Sequence, residues 1–254
     1  MDYTIIWGHR GAGFRGIENS MSSFKKAVDM GVDGIKTEAR LSKDRAVVLR
    51  FFPYLLIDGK KTPLEELKLK EIKQFNLENG ESILTLREMF ETFKDKIRYN
   101  FDVFKVETGL KIIDIAKQYD LIDKIEITKP ATYRKSFDSL LKPLREKNER
   151  ITLVNSLYSD KQIIQDNFLL LDQMKKLNIQ VVNLCHHRFN HEIFRRVKKD
   201  GFKLYLWAVL FKYFMKKYLN LKYEGKVVDG IYTNYPDKLI KLRKSRSNVK
   251  FINV

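Results

Sequence analysis

Apolar positions along the chain alternate between two regimes. Short apolar or alternating runs mark strands, and apolar spacing of three and four residues marks amphipathic helices. On this basis strands are expected over 3–8, 33–38, 97–104, 124–128, 151–155, 179–184, 203–208 and 229–233. Helices are expected over 19–30, 85–94, 108–120, 131–147, 160–176, 190–200, 209–219 and 236–245. In the first helix Met21, Phe24, Ala27 and Val28 share a face, with Asn19 as its expected cap. Gly31, Asn178, Gly201 and Gly230 stand at the joins. Eight strand-then-helix units in 254 residues predict the α/β class and a closed (β/α)8 TIM barrel, with an open doubly wound sheet as the alternative. Only the second unit carries extra length, a short insertion over 52–84. It contains an Asp58-Gly59 turn and then Thr62-Pro63, which reads as a helix start. The whole chain reads as one domain with a tail over 246–254.

Composition narrows the class. An apolar fraction of 44% suits a globular core. The one cysteine, Cys185, excludes an internal disulfide framework and reads as a small buried hydrophobe at a strand end. No apolar run reaches the ~18 residues of a membrane span. No basic segment followed by an apolar one opens the chain, so a cytoplasmic location is expected. The net charge of +17 is large and attracts polyanions: phosphorylated ligands, anionic lipid, nucleic acid. No recognised nucleic-acid motif accompanies that charge, which makes nucleic acid the least favoured partner.

The densest chemistry lies at Trp7-Gly8-His9-Arg10-Gly11, where the first strand runs into a glycine-rich turn. Histidine titrates near neutrality and arginine grips phosphate with a planar fork, so the pair suits an anionic, phosphoryl-bearing substrate. His186, His187 and His191 follow the sixth strand, but adjacent histidines point in different directions. They read as loop residues rather than as a metal site.

The segments His9-Arg10-Gly11, Glu18-Asn19, Ser23-Phe24, Ala27, Gly31-Val32-Asp33 and Leu41-Ser42-Lys43-Asp44 resemble, in order and without a gap, the opening of the glycerophosphodiester phosphodiesterase family. Similar too are Thr62 to Leu67, Leu84 to Glu88, Gly201 to Trp207 and Val228 to Pro236. The resemblance implies a TIM barrel that hydrolyses glycerophosphodiesters or phospholipid-derived substrates. It implies a divalent cation, Mg2+ or Ca2+, held by three carboxylates, with two histidines moving protons. His9 then falls on an acid/base position and Arg10 on a phosphate-holding one. Glu18 and Asn19 fall at the active-site mouth, and Trp207 falls where it can close over a glycerol-like group.

The same alignment departs from the family where the chemistry lies. The metal pair falls on Lys36 and Glu38, and the second histidine and its aspartate fall on Phe51 and Phe52. On the third strand Asp102 falls on the last acidic ligand, with Phe104 where the family has lysine and Lys105 one step on. A slip of one residue would instead put Val103 at the carboxylate and Lys105 at the lysine; the first register is preferred. Lys36 and Lys105 are thus candidate phosphate-binding cations, and Glu38 and Asp102 the remaining metal ligands. The metal site is incomplete, so weak or altered hydrolysis is expected. A non-catalytic barrel that binds a phosphorylated ligand or an anionic surface is the alternative.

Overall fold

Why the chain closes on itself is visible in the strand pairing. In the computed structural model, which describes residues 3–133, 138–157, 169–245 and 252–253, eight parallel strands form the barrel. They are β1 (Ile5–His9), β2 (Gly34–Leu41), β3 (Arg98–Asp102), β4 (Ile125–Lys129), β5 (Thr152–Leu157), β6 (Val181–Cys185), β7 (Lys203–Trp207) and β8 (Gly230–Thr233). Each pairs with the next, and Ile5 of β1 lies opposite Gly230 of β8. The sheet is therefore closed and the doubly wound alternative is excluded. Helices follow: α1 (Met21–Met30), α2 (Leu86–Phe93), α3 (Val106–Gln118), α4 (Asp138–Lys147), α5 (Leu171–Lys176), α6 (His191–Lys199), α7 (Lys212–Asn220) and α8 (Pro236–Lys244). The expected helices over 131–147 and 160–176 fall partly on 134–137 and 158–168, outside the described residues.

Local chemistry sets the element ends. The cap of α1 is Ser20, not Asn19: the Ser20 hydroxyl accepts from the Ser23 amide while Ser20 itself is extended. Asn19 cannot cap because its backbone is left-handed at φ 60. Gly31 ends α1 at φ 95, a conformation that favours glycine. Thr85 and Glu88 satisfy each other's backbone amides at the start of α2.

The insertion differs from expectation. Tyr54–Ile57 and Lys60–Pro63 form a hairpin around Asp58-Gly59, both at positive φ. Pro63 therefore ends a strand instead of opening a helix; a single 3-10 turn, Leu64–Glu66, follows, and a short helix comes only at Leu69–Ile72. Leu55, Leu64, Leu67, Ile72 and Ile83 pack with Val48 as a separate small core.

Inside the barrel, Trp7, Val154, Val181, Tyr205 and Tyr232 fill the space, with Trp7 stacked on Tyr232 at 5.7 Å. Glu126 is fully buried among them and accepts from Asn100 Nδ2 (3.1 Å) and the Tyr205 hydroxyl (3.0 Å). This layer floors the mouth from below. At the far end Asp33 accepts from the Ile6 amide (2.7 Å) and pairs with Arg243 of α8.

Candidate active site

The C-terminal end of β1 turns sharply because two consecutive residues are left-handed, Arg10 at φ 54 and Gly11 at φ 99. At Gly11 a Cβ would also meet Ser23 Oγ at 2.5 Å, so no larger residue fits. The turn throws the Arg10 guanidinium across the mouth onto β2. Nε lies 3.0 and 3.1 Å from the two Glu38 oxygens, and Nη1 lies 2.7 Å from Glu18. Strand register places His9 beside Lys36 and Glu38 beside Asp102. Lys36 Nζ donates to Glu38 Oε1 at 3.1 Å and pairs with Asp102. Lys36 is 8% exposed and Glu38 2%. Two cations thus face three carboxylates in one connected network.

His9 is held by the other end of the chain. Its Nδ1 lies 3.1 Å from Asn234 Oδ1, just past β8. A carboxamide oxygen only accepts, so Nδ1 carries the proton and Nε2 keeps its lone pair. Burial, then the Lys36 charge, lowers the His9 pKa to about 3, against the opposing pull of Glu38. Burial alone would raise the Glu38 carboxyl, but Lys36 and then Arg10 outweigh it and hold it at about 2. Asp102 is pushed up by its burial, and the Glu38 charge adds to that. At neutral pH His9 is a neutral base beside a fixed ammonium.

These shifts have a measurable sign. The unfolded chain protonates His9 near 6.5, whereas the folded chain resists until about 3. Between those values the unfolded state binds the extra proton, so stability falls as pH falls, by at most about 1.4 kcal/mol per pH unit. Glu38 adds a loss of the same sign between 4.5 and about 2. Denaturant midpoints measured against pH should decline below 6.5, and His9→Gln should flatten the decline down to 4.5. Parallel curves for the two proteins would mean that His9 is not kept neutral.

A model of the glycerophosphoryl diester phosphodiesterase family matches residues 9–238. The chain belongs to that family. A glycerophosphodiester phosphodiesterase of Caldanaerobacter subterraneus subsp. tengcongensis is 26% identical, covering 94% of this chain and 97% of its own. The crystal structure of a glycerophosphodiester phosphodiesterase from Thermotoga maritima shares the fold at TM-score 0.75 and 23% identity, covering 96% of this chain and all of its own. So does an Oleispira antarctica phosphodiesterase in complex with the product sn-glycerol-3-phosphate, at TM-score 0.78 and 19% identity over 96% of this chain and 98% of its own.

Family membership implies a divalent cation, and the residues here do not fit one. A hard cation needs several free oxygen ligands. Both Glu38 oxygens already accept from Arg10, Glu38 and Asp102 both pair with Lys36, and the ammonium lies between the two carboxylates. Among the described residues no three His, Cys, Asp or Glu side chains converge as a metal cage.

The other candidate residues divide. Glu18 reaches the network through Arg10. Asn19 is buried, its Oδ1 accepting from the Thr37 hydroxyl at 2.7 Å, so it braces β2. Phe51 stacks on Arg10, with the guanidinium carbon 3.9 Å from the ring centroid, so an apolar ring occupies the rim beside the phosphate-type cation. Lys105 stands apart from the network: it is exposed and pairs with Glu65 of the insertion. Asp102 joins the ion network, whereas Val103 is buried in the apolar core. Trp207 is half-buried at the end of β7, and its buried indole N–H has no hydrogen-bond partner among the described residues. His186 is not an open-loop residue; it is buried against His187, Phe214 and Tyr218.

Two residues escaped the sequence reading. Lys129 ends β4, buried, with Nζ donating to the carbonyls of Ser156 (3.3 Å) and Pro130 (3.5 Å). Burial lowers its pKa to about 8, with Asp102 opposing. Asn183, on β6, donates to Ser156 Oγ at 3.0 Å, and its buried Oδ1 has no hydrogen-bond partner among the described residues. Nothing in local sequence distinguishes either from a surface lysine or a loop asparagine. The inward phase of the strands relative to His9 and Asp102 was the available signal for Asn183.

Proposed function

We propose that this protein is a phosphodiester hydrolase acting on glycerophosphodiesters, with slow turnover that does not depend on a divalent ion. The observation that carries this reading is the Lys36 ammonium. It is buried beside His9 and pinned between Glu38 and Asp102, where the family resemblance puts a metal ligand. A fixed positive charge there can face phosphoryl oxygens in a poorly screened site. His9 Nε2, oriented by Asn234, is free to take the proton of an attacking hydroxyl.

Rate should be limited by the leaving group. Phe51 and Phe52 stand where the resemblance puts the second proton-transfer residue, and loss of such a group typically costs about 10^2–10^4 in rate. The test is hydrolysis of glycerophosphocholine and glycerophosphoglycerol with EDTA and with added Mg2+ or Ca2+. The expected result is slow turnover, unchanged by chelator and abolished by His9→Ala. Turnover that appears only with metal would defeat the reading.

The stacking of Phe51 on Arg10 favours a second reading, a barrel that binds a phosphorylated ligand without turning it over. Glycerol phosphate binding by calorimetry, with no hydrolysis under any metal condition, would select it.

A further inference from the structure

Eight large apolar side chains are well exposed among the described residues: Tyr3, Phe14, Phe51, Phe52, Leu56, Phe211, Tyr213 and Ile252. Five of them are not scattered. Phe14 follows β1, Phe51 and Phe52 follow the short strand Val47–Leu49 that pairs antiparallel with β2, and Phe211 and Tyr213 follow β7, all on the side of the barrel where His9 lies. Strands β7, β8, β1 and β2 are consecutive around the barrel, so these loops form one arc. Contacts tie the arc together. Thr233 Oγ1 donates to Val209 O at 2.8 Å, linking the loops after β8 and β7. The Phe14 amide donates to Asn234 O at 3.0 Å, and its ring meets Tyr235 edge-on at 5.3 Å. Phe51 and Phe52 are 4.8 Å apart, and Phe51 lies on Arg10.

Cations are interleaved with these rings. Lys212 sits between Phe211 and Tyr213, Lys238 Nζ lies 3.9 Å from the Tyr235 ring centroid, and Arg15 lies 5.6 Å from it. The nearby acids are engaged: Glu18 by Arg10 and Asp237 by Arg15.

We propose that this aromatic and basic arc docks the barrel mouth on an anionic lipid bilayer, so that the phosphodiesters delivered to His9 are lipid headgroups. The proposal rests on the phosphodiesterase reading for its substrate and on the arc for its surface. A small ligand held within the barrel would be covered by inward-facing groups and would leave these rings in water. Phe211 is 65% exposed, Tyr213 72% and Phe14 59%. A bilayer interface covers all of them together, and aromatic rings settle at headgroup depth. Lys212 and Lys238 among the rings add attraction to anionic lipid. A second copy of the chain would also cover the rings, but it would bring the same cations against themselves, and each chain carries +17. Among the described residues no helix is long and apolar enough to cross a membrane, so loops make the contact.

Flotation with vesicles of phosphatidylcholine containing phosphatidylglycerol, against pure phosphatidylcholine, tests this. The native protein should float with the anionic vesicles and lose that binding in high salt. The variant Phe14→Ser/Phe211→Ser/Tyr213→Ser should bind about tenfold more weakly or worse, with turnover of water-soluble glycerophosphocholine unchanged. A separate variant, Lys212→Glu/Lys238→Glu, leaves the rings intact and should lose the preference for anionic vesicles. Docking is overturned if the native protein does not float, if the ring variant floats like the native, or if the native forms a dimer that the ring variant abolishes while neither binds vesicles. Vesicle binding is read without turnover, which separates the two ideas. A chain that hydrolyses glycerophosphocholine but never floats defeats docking alone. A chain that floats but hydrolyses nothing defeats the phosphodiesterase reading and supports the docking surface.

Discussion

Lys36→Glu should make the stability of this protein depend on a divalent cation. The native ammonium neutralises Glu38 and Asp102, and among the described residues Lys36 is the one cation that forms an ion pair with Asp102. Replacing the lysine removes one positive charge and adds one negative charge at a buried position. Three carboxylates then crowd one spot, and breaking a buried pair typically costs about 3–5 kcal/mol. The same change assembles the oxygen ligands that Mg2+ or Ca2+ requires. In EDTA the variant should melt well below the native protein, and Ca2+ should restore much of the difference by binding only the folded state. Calorimetry should show metal affinity at least about tenfold to a hundredfold above native, since a change of two charges at close range is worth one to a few kcal/mol even when screened. Equal affinity before and after the substitution would mean that residue 36 does not face a metal-competent site.

The second large effect is a gain of activity. Lys36→Glu, Phe51→His and Phe52→Asp made together supply the missing ligand and a proton-transfer group at the rim. Phe51 already touches Arg10, so an imidazole there would stand beside the guanidinium that faces Glu38. Assayed with Ca2+ or Mg2+, the triple variant should hydrolyse glycerophosphocholine at least about a hundredfold faster than the native chain, the lower end of what one acid/base group contributes. The triple variant should also become sensitive to chelator. If it is no faster than native with metal present, the Phe51 position is not where the leaving group is protonated.

Much of this was legible in the chain. The barrel followed from the repeated change of period, and α1 from an apolar face ended by Gly31, because both signals are local. The network Lys36, Glu38 and Asp102 was legible because strand alternation puts residues two apart on one face and the motifs set the phase. What was not legible depends on distant groups. Asn19 reads as a cap until its backbone is seen to be left-handed and its oxygen turned to Thr37. Thr62-Pro63 reads as a helix start, but pairing with Tyr54–Ile57 overrides the local preference. Lys105 was one step from a functional position, and only the folded insertion shows that Glu65 takes its charge. The lowered pKa of Lys129 comes from burial, which no local pattern of lysines reports.

The hydrogen bond between His9 and Asn234 joins residues separated by 225 positions. During synthesis from the N-terminus, the histidine emerges with β1 and its orienting partner only after β8. A chain that has completed β1 to β7 already carries His9, Arg10, Lys36 and Asp102, but it lacks Asn234, the acceptor that fixes the tautomer of the imidazole. Arg243, still further along, must also arrive before Asp33 gains its ion pair at the opposite end. The orientation of the His9 ring therefore depends on closure of the seam between β8 and β1, and a chain cut before β8 would carry the motif without the oriented base.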